Sequence, residues 1–250
     1  MIRYRIAPLA LVLVALAGCN KSSDSSSPAS SAPRAAKIAN VAAPAGTKWS
    51  EHVETTPDDG VRMGNPDAPI KLVEYGSLSC PHCAKLAQEG FAKLTGDYVE
   101  SGRVSYEFRS YVIHPQDVPL TLLAKCMPLE TFFPIVDQLY TNFDALSAPL
   151  ADKAVQDKAN AALQGPPAER MTGLADALSY TQFFSARGLA VDKAHACLAD
   201  GAKAKKISDD TQKWYTAGID QTPTLYLNGT KLDFAEWEKL DQALKNAGAS

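Results

Sequence analysis

Two cysteines separated by two residues, Cys80 and Cys83, lie where a strand-like run over residues 70–75 gives way to a helical pattern. A helix N-terminus offers free N–H groups and the positive end of the macrodipole, and both favour a thiolate at Cys80. Pro81 suits the first helical turn, and His82 adds a second positive charge when it is protonated. The pattern predicts a low pKa for Cys80 and a readily reduced disulfide with Cys83, as in a thiol–disulfide oxidoreductase.

The N-terminus has the layout of an export signal. Arg3 and Arg5 precede an apolar core over residues 9–17, which is too short for a permanent transmembrane helix. The core ends in Leu-Ala-Gly-Cys and resembles a bacterial lipobox, which implies a lipoprotein signal peptide over residues 1–18 and a lipid anchor on Cys19. The alternative is an ordinary secretory signal with an incidental cysteine. Both interpretations place the domain in the bacterial cell envelope, and the first predicts a membrane-anchored lipoprotein facing the periplasm.

Composition narrows the classes of function further. The chain has 250 residues, of which 21% are charged, and its formal net charge is −3. It has no basic stripe, which argues against nucleic-acid binding. Residues 19–47 are rich in Ser, Ala and Pro and carry few large apolar side chains, so we expect a flexible tether. An ordered N-terminal arm is the alternative.

The rest of the chain alternates between β and helical patterns. Residues 48–115 hold short β-type pieces, the strand and helix around the cysteine pair and a second long strand, and we assign them to the first part of a thioredoxin-like domain. Residues 116–215 are predicted to be an inserted helical subdomain, with one helix over residues 191–214. Residues 216–250 resume the domain with a strand, an Asn-Gly hairpin turn and a last amphipathic helix. The predicted fold class is α/β, a thioredoxin fold with an inserted all-helical subdomain.

Two stretches of the chain resemble the DsbA family of envelope thiol–disulfide oxidoreductases. They are VEYGSLSCPHC at residues 73–83 and GIDQTPTLYLNG at residues 218–229, and the resemblance extends over residues 49–247. A bare pair of cysteines is weak evidence, whereas a pair at a strand-to-helix junction with a distant Thr-Pro-Thr is specific. The resemblance implies that Cys80 is the exposed nucleophile and Cys83 its shielded partner.

The resemblance also implies roles for three further residues. Pro223 matches a cis-proline that faces the redox pair, and the backbone of Thr222 before it is expected to pair with a substrate strand. A trans proline at the start of an edge strand is the alternative. Glu74 matches a buried acidic residue beneath the second cysteine, where a carboxylate takes or relays the proton of Cys83. Its alternative is a strand residue satisfied by a neighbouring amide or cation.

Two more cysteines, Cys126 and Cys197, lie in the predicted helical insertion. An oxidising envelope favours a structural disulfide between them, and some DsbA-like proteins carry such a second bridge. In a reducing compartment they would be small buried apolar residues. The sequence places no reactive neighbours around His52, His114 and His195, which we expect at the surface or in structural roles.

The resemblance implies a dithiol oxidase that donates the Cys80–Cys83 disulfide to reduced exported proteins and is reoxidised by a membrane quinone-linked partner. A disulfide reductase or isomerase of the same fold is the alternative, because Thr222 also occurs in isomerase-type relatives. Copper or zinc handling by Cys80, His82 and Cys83 is a third reading, although a closed zinc site needs about four ligands. We expect a monomer with no cofactor and no metal.

Overall fold

The computed structural model of the protein describes residues 35–250. The predicted signal peptide over residues 1–18, the predicted lipid attachment at Cys19 and the first part of the predicted tether lie outside the described residues. Within residues 35–250 no helix combines the length and the apolar character that crossing a bilayer requires.

A six-stranded mixed sheet forms the centre of the domain. Its strands are β1 (Val53–Thr55), β2 (Val61–Met63), β3 (Ile70–Gly76), β4 (Val104–Ser110), β5 (Thr224–Leu227) and β6 (Thr230–Lys231). They lie in the order β1-β2-β4-β3-β5-β6, and the β3–β4 pair is parallel whereas the other pairs are antiparallel. Strand β3 has neighbours on both edges, and of its residues only Lys71 is exposed. The end of β3, from which the cysteine loop starts, is therefore buried.

Helices cover the sheet and form the insertion. Helix α1 (Pro81–Lys93) follows β3 and continues through a wider turn at Leu94–Val99 towards β4. The insertion between β4 and β5 contains α2 (Asp117–Cys126), α3 (Phe132–Thr141), α4 (Phe143–Ser147), α5 (Lys153–Gln164), α6 (Arg170–Ala177), α7 (Tyr180–Ser185), α8 (Val191–Leu198) and α9 (Gly201–Thr216). Helix α10 (Trp237–Leu244) follows the hairpin. This architecture confirms the predicted fold class.

The single helix predicted over residues 191–214 is wrong, because the chain divides it into α8 and α9. Helix α8 ends at Leu198, and the Asp200 carboxylate accepts a hydrogen bond from the Lys203 N–H at 3.0 Å to begin α9. Aspartate favours such a position because its side chain satisfies a free N–H of the first turn. The prediction of one helix rested on the spacing of apolar residues, and this spacing does not show that Asp200 caps a new helix.

Helix α10 packs closely on α1 at Gly90. A Cβ atom at Gly90 would clash with the indole ring of Trp237, the buried first residue of α10. The glycine therefore allows α10 to lie directly against α1.

Residues 35–47, which the sequence assigns to the tether, run along the domain and are held by backbone hydrogen bonds. The Ile38 N–H donates to the Gly248 carbonyl at 2.9 Å, and the Val41 N–H donates to the Ser101 carbonyl at 2.9 Å. Backbone groups make these contacts, so composition does not reveal them. The part of the predicted tether that the structure describes, residues 35–47, is therefore bound to the domain by its backbone.

The insertion contains one disulfide among the described residues. Cys126 at the end of α2 is bonded to Cys197 in α8, and the two Cα atoms are 6.1 Å apart. This separation is ordinary for a disulfide and confirms the predicted pairing.

Candidate redox site

The two cysteines of the predicted redox pair lie at the start of α1. Cys80 is the N-cap residue with extended backbone angles, and the Ala84 N–H donates to its carbonyl at 3.0 Å to close the first turn. Pro81 takes the first helical position, where a missing N–H costs nothing. Both cysteines are free thiols, and 3% of Cys80 and 0% of Cys83 is exposed. Cys80 is thus nearly buried rather than openly exposed, because the loop containing Thr222 lies over it.

The environment of Cys80 stabilises its thiolate. Hydrogen bonding from the Cys83 side chain lowers the pKa of Cys80 most, and burial opposes this effect. The Thr222 side chain and the backbone N–H groups of Cys83 and His82 add to the lowering, which brings the pKa to about 5. His82 is exposed and contributes here through its backbone N–H, an effect that follows from the helix start rather than from the ring charge.

Cys83 has the opposite character. Burial raises the pKa of Cys83 well above its ordinary value, and the hydrogen bond to Cys80 and the nearby negative charge of Glu74 raise it further. Hydrogen bonding from the Ser77 backbone lowers the pKa and offsets only part of this effect. In the reduced pair, Cys83 is therefore a thiol that donates to the Cys80 thiolate.

Glu74 lies in β3 beneath the cysteines, and 5% of the residue is exposed. Burial raises the pKa of Glu74 to about 7, and the charge on Cys80 adds to the rise. A hydrogen bond from the Tyr106 hydroxyl to Oε2, 2.6 Å long, acts in the opposite direction. The hydrogen-bond partner of the Glu74 carboxyl is therefore the Tyr106 phenol, not the amide or cation that the sequence analysis considered.

The loop before β5 faces the cysteine pair. The peptide bond between Thr222 and Pro223 is cis, as the resemblance implies, and the Thr222 carbonyl oxygen lies 3.4 Å from Cys80 Sγ. Within the loop, the Thr224 hydroxyl donates to the Gln221 carbonyl at 2.7 Å. The structure thus brings Thr222 to the Cys80 sulfur although 142 positions separate them.

Sequence reasoning missed Asp117, a buried carboxylate that holds the loop before Cys80. Its Oδ1 accepts hydrogen bonds from Ser77 Oγ at 2.8 Å and the Ser79 N–H at 2.9 Å. Its Oδ2 accepts from the N–H groups of Ile113 and His114 at 2.9 and 3.0 Å. An aspartate at the start of a helix is typical of a capping residue, and this was the one signal that the sequence offered. The carboxylate links the cysteine loop to the beginning of the insertion.

His114 and Tyr140 also contact this loop. The His114 ring nitrogen Nδ1 is 2.9 Å from the hydroxyl oxygen of Ser79, the residue before Cys80. This histidine, which was expected at the surface or in a structural role, is exposed. The Tyr140 hydroxyl donates to the Ser77 carbonyl at 3.1 Å from α3 of the insertion. His52 and His195 instead contact Thr47 and Asp176, respectively.

Two grooves border the redox pair. The first has a volume of about 450 Å³, lies between α1 and the Thr222 loop, and has charged walls that include Lys85 and Glu89. The second has a volume of about 320 Å³, begins at Ser79 and is lined mainly by apolar side chains of the insertion, Leu139 and Leu146 among them. The first groove reaches His82 and Thr222 and the second reaches Ser79, so each groove comes to a neighbour of Cys80.

In the part of the chain that the structure describes, no three His, Cys, Asp or Glu side chains are grouped so as to hold a metal ion.

A family of proteins described as Thioredoxin matches residues 55–246, which is most of the chain. The chain belongs to the thioredoxin family. Among solved structures, it is similar to a protein-disulfide isomerase from Novosphingobium aromaticivorans, with a TM-score of 0.68 and 27% identity, over 73% of this chain and 94% of that one. It shares its fold with alpha-DsbA1 of Wolbachia pipientis, with a TM-score of 0.62 and 20% identity, over 80% of this chain and 96% of that one.

Curated relatives of this thioredoxin-family chain match over a short region. A putative protein-disulfide oxidoreductase of Rickettsia bellii is 36% identical over 64 residues, 26% of this chain and 25% of the relative. Disulfide bond formation protein D of Bacillus subtilis is 32% identical over 62 residues, 25% of this chain and 28% of the relative. The chain thus spans about a quarter of the length of the curated relatives it matches. Their names agree with the enzyme class predicted from the cysteine pair.

The thioredoxin fold provides the asymmetry that thiol–disulfide exchange needs. One sulfur has a pKa of about 5 and is a good leaving group, while the other has a raised pKa and lies deeper in the protein. Glu74, a buried carboxyl with a pKa of about 7, lies near enough to the deeper sulfur for its charge to raise the pKa of that sulfur.

Proposed function

We propose that this protein is a thiol–disulfide oxidoreductase of the bacterial envelope that acts as a dithiol oxidase, donating the Cys80–Cys83 disulfide to reduced exported proteins. One observation carries the proposal: the pKa of Cys80 is lowered to about 5 while that of its partner Cys83 is raised. A stabilised thiolate exists only in the reduced pair, so it favours the reduced enzyme and makes the disulfide an oxidant.

The proposed reaction proceeds in two exchanges. A substrate thiolate attacks Cys80 Sγ of the Cys80–Cys83 disulfide, the sulfur–sulfur bond breaks, and its electron pair goes to Cys83 Sγ. Because the pKa of Cys83 is high, this sulfur takes up a proton, which Glu74 supplies. A second substrate thiolate then attacks the substrate sulfur of the mixed disulfide. Cys80 leaves as a stabilised thiolate, and the substrate gains its disulfide.

The two grooves support a polypeptide substrate rather than a small thiol. An extended segment with its cysteine at Cys80 would contact the Thr222 backbone on one side. On the other side it would meet the apolar groove that begins at Ser79. Unfolded exported proteins expose both backbone groups and apolar side chains, so they fit such a surface.

Location and partners form part of the same proposal. The lipobox-like run before Cys19 supports a lipoprotein held at the membrane and facing the periplasm. A membrane quinone-linked protein would reoxidise the reduced cysteine pair, since each catalytic cycle leaves two electrons on it. We propose that the protein acts as a monomer.

A reductase or isomerase of the same fold is the second candidate. It is favoured by the name of the Novosphingobium structure, a protein-disulfide isomerase that is 27% identical and of which the chain covers 94%. An isomerase acts through a reduced resting pair, so the direction depends on the reduction potential of Cys80 and Cys83.

Two measurements separate these candidates. The first is the reduction potential of the Cys80–Cys83 couple in a variant with both cysteines of the second disulfide replaced by alanine. The second compares the rate at which oxidised protein forms disulfides in reduced ribonuclease with the rate at which reduced protein repairs scrambled ribonuclease. Oxidation that greatly exceeds repair supports the oxidase. A potential near that of thioredoxin, about −270 mV, with active repair would show that the oxidase proposal is wrong.

A further inference from the structure

We infer that Tyr106 is a positioning residue of the redox reaction: its hydroxyl holds the Glu74 carboxyl that exchanges a proton with Cys83. The inference rests on the thiol–disulfide chemistry of the proposed function, whatever its direction. Tyr106 lies in β4, and its side chain crosses to Glu74 on the neighbouring strand β3. The register pairs Leu72 with Tyr106, so the tyrosine lies two residues away from Glu74 along the ladder.

The Tyr106–Glu74 pair is isolated from water. Only 5% of each residue is exposed, and the hydroxyl donates to Glu74 Oε2 at 2.6 Å. The residues opposite Glu74 on the two adjacent strands are Phe108 and Leu225, both buried and apolar. A buried carboxylate without a strong partner is costly, so this hydrogen bond is central to what Glu74 can do.

The charged and titratable groups that face Glu74 come from three elements. Cys83 faces it from the first turn of α1 and Cys80 from the N-cap of that helix, Tyr106 from β4 and Tyr140 from α3. Within residues 35–250 no cation contributes to the pKa of Glu74. The phenol therefore takes the place that a lysine or arginine would otherwise hold beside a buried acid. A neutral donor stabilises the carboxylate without fixing it in the ionised form.

This arrangement suits a group that must both give and take a proton. When a mixed disulfide on Cys80 is resolved, Cys83 Sγ attacks Cys80 Sγ, a new sulfur–sulfur bond forms, and the departing thiolate leaves. The Cys83 proton moves to the Glu74 carboxylate, which must be ionised at that moment. In the opposite exchange, protonated Glu74 returns the proton to Cys83 and the Tyr106 hydroxyl stabilises the resulting carboxylate.

The test is the pH dependence of Cys83 attack on a glutathione mixed disulfide at Cys80. Reduced protein is mixed with oxidised glutathione, quenched with acid and analysed by mass spectrometry, so that formation and resolution of the mixed disulfide are measured separately. Tyr106→Phe removes the donor that lowers the pKa of Glu74. We expect the pH midpoint of resolution to move up by about one to two units and the rate at pH 7 to fall about fivefold or more.

Tyr98→Phe is the matched control. Tyr98 is also a buried tyrosine whose hydroxyl donates to a carboxylate, Asp241 Oδ1, at 2.5 Å, but this pair joins the wider turn at Leu94–Val99 to α10. We expect Tyr98→Phe to leave the pH midpoint unchanged. Equal shifts in both variants, or no shift in Tyr106→Phe, would overturn the inference. In a Glu74→Gln background, Tyr106→Phe is expected to cause no further shift, and a further shift would also count against it.

A measurement on the wild-type protein covers the case in which Tyr106→Phe does not fold. With carbon-13 in the glutamate carboxyl groups, the Glu74 resonance and the Tyr106 hydroxyl proton are expected to shift with one common midpoint by NMR. Independent midpoints would contradict the inference. If wild-type protein does not react with oxidised glutathione at all, the proposed function fails instead, so the two failures are distinguishable.

Discussion

Replacing Thr222 by valine tests how the reactive thiolate is stabilised. The Thr222 side chain donates one of the hydrogen bonds that lower the pKa of Cys80 to about 5. Valine has nearly the same shape and cannot donate. The Thr222 carbonyl oxygen, 3.4 Å from Cys80 Sγ, belongs to the backbone and stays in place. The variant therefore removes one donor with little change in packing.

The expected magnitude follows from the value of one hydrogen bond to a charged sulfur, about 1.5 kcal/mol. This corresponds to about one pKa unit, so we expect the pKa of Cys80 to rise from about 5 to about 6. At pH 7 the reduced form then loses about 1.3 kcal/mol of thiolate stabilisation. For a two-electron couple this loss corresponds to about 30 mV, and the variant becomes the weaker oxidant by that amount.

The same arithmetic gives an expected potential for the wild-type couple. A thioredoxin pair, with a pKa of about 7, has a potential of about −270 mV. Lowering the pKa to about 5 stabilises the reduced form at pH 7 by about 2.3 kcal/mol, which adds about 50 mV. From this effect alone we expect a potential of about −220 mV.

The assay combines two titrations of the same protein. The ultraviolet absorbance of the thiolate against pH gives the pKa of Cys80, and equilibration with glutathione buffers gives the potential. Thr224→Val is the matched control, because the Thr224 hydroxyl donates to the Gln221 carbonyl and its loss should leave the pKa of Cys80 unchanged. An unchanged pKa in Thr222→Val would refute the assignment of Thr222 as a donor. A pKa that rises by one unit without a fall in potential would refute the link between thiolate and oxidising power.

Three further predictions concern stability. The first replaces both cysteines of the second disulfide by alanine. Because the disulfide closes a loop with a sequence separation of 71, its loss should lower the free energy of unfolding by about 4 kcal/mol, as chemical denaturation would show. A ribonuclease assay should show no loss of disulfide exchange. In oxidised protein, which lacks the Cys80 charge, burial still raises the pKa of Glu74, so the folded state keeps a proton that the unfolded state releases above about pH 4.5. The free energy of unfolding should therefore fall as the pH rises from about 4.5 to 7, by at most about 3 kcal/mol. This fall should be absent in Glu74→Gln, and a fall that persists there would exclude Glu74 as its source. Gly90→Ala should destabilise the protein by about 1–3 kcal/mol because the new methyl group meets the Trp237 ring. Gly96→Ala is the control and should not destabilise it, because no atom lies within 4 Å of the new methyl group there. Equal shifts of the melting temperature in the two variants would contradict this packing argument.

The local parts of the site could be predicted from the sequence because neighbours in the chain carry their information. The spacing of Cys80 and Cys83 at a strand-to-helix junction predicts a thiolate at a helix start, and the structure places Cys80 at the N-cap and Cys83 in the first turn of α1. The Asn-Gly hairpin was predicted from two adjacent residues, and both Asn228 and Gly229 have the positive φ angles that such a turn requires. Thr222 and Pro223 needed a resemblance, since nothing local links them to Cys80.

Contacts between distant segments could not be predicted in this way. Asp117 holds Ser77 from 40 positions along the chain, and a carboxylate at a helix start predicts only a cap. His114 lacked reactive neighbours in the sequence, yet its ring lies 2.9 Å from Ser79 Oγ. Such contacts depend on where the insertion docks, and no periodicity reports that position.

The sequence by itself therefore determined the chemistry that this protein can perform: a cysteine pair at a helix N-terminus in a thioredoxin fold. Only the tertiary structure decided how that chemistry is controlled. The parallel register of β3 and β4 brings the Tyr106 hydroxyl to Glu74 beneath Cys83. The physical reason is that the pKa of a buried group depends on every charge and donor within a few ångströms, and those groups come from elements far apart in the chain.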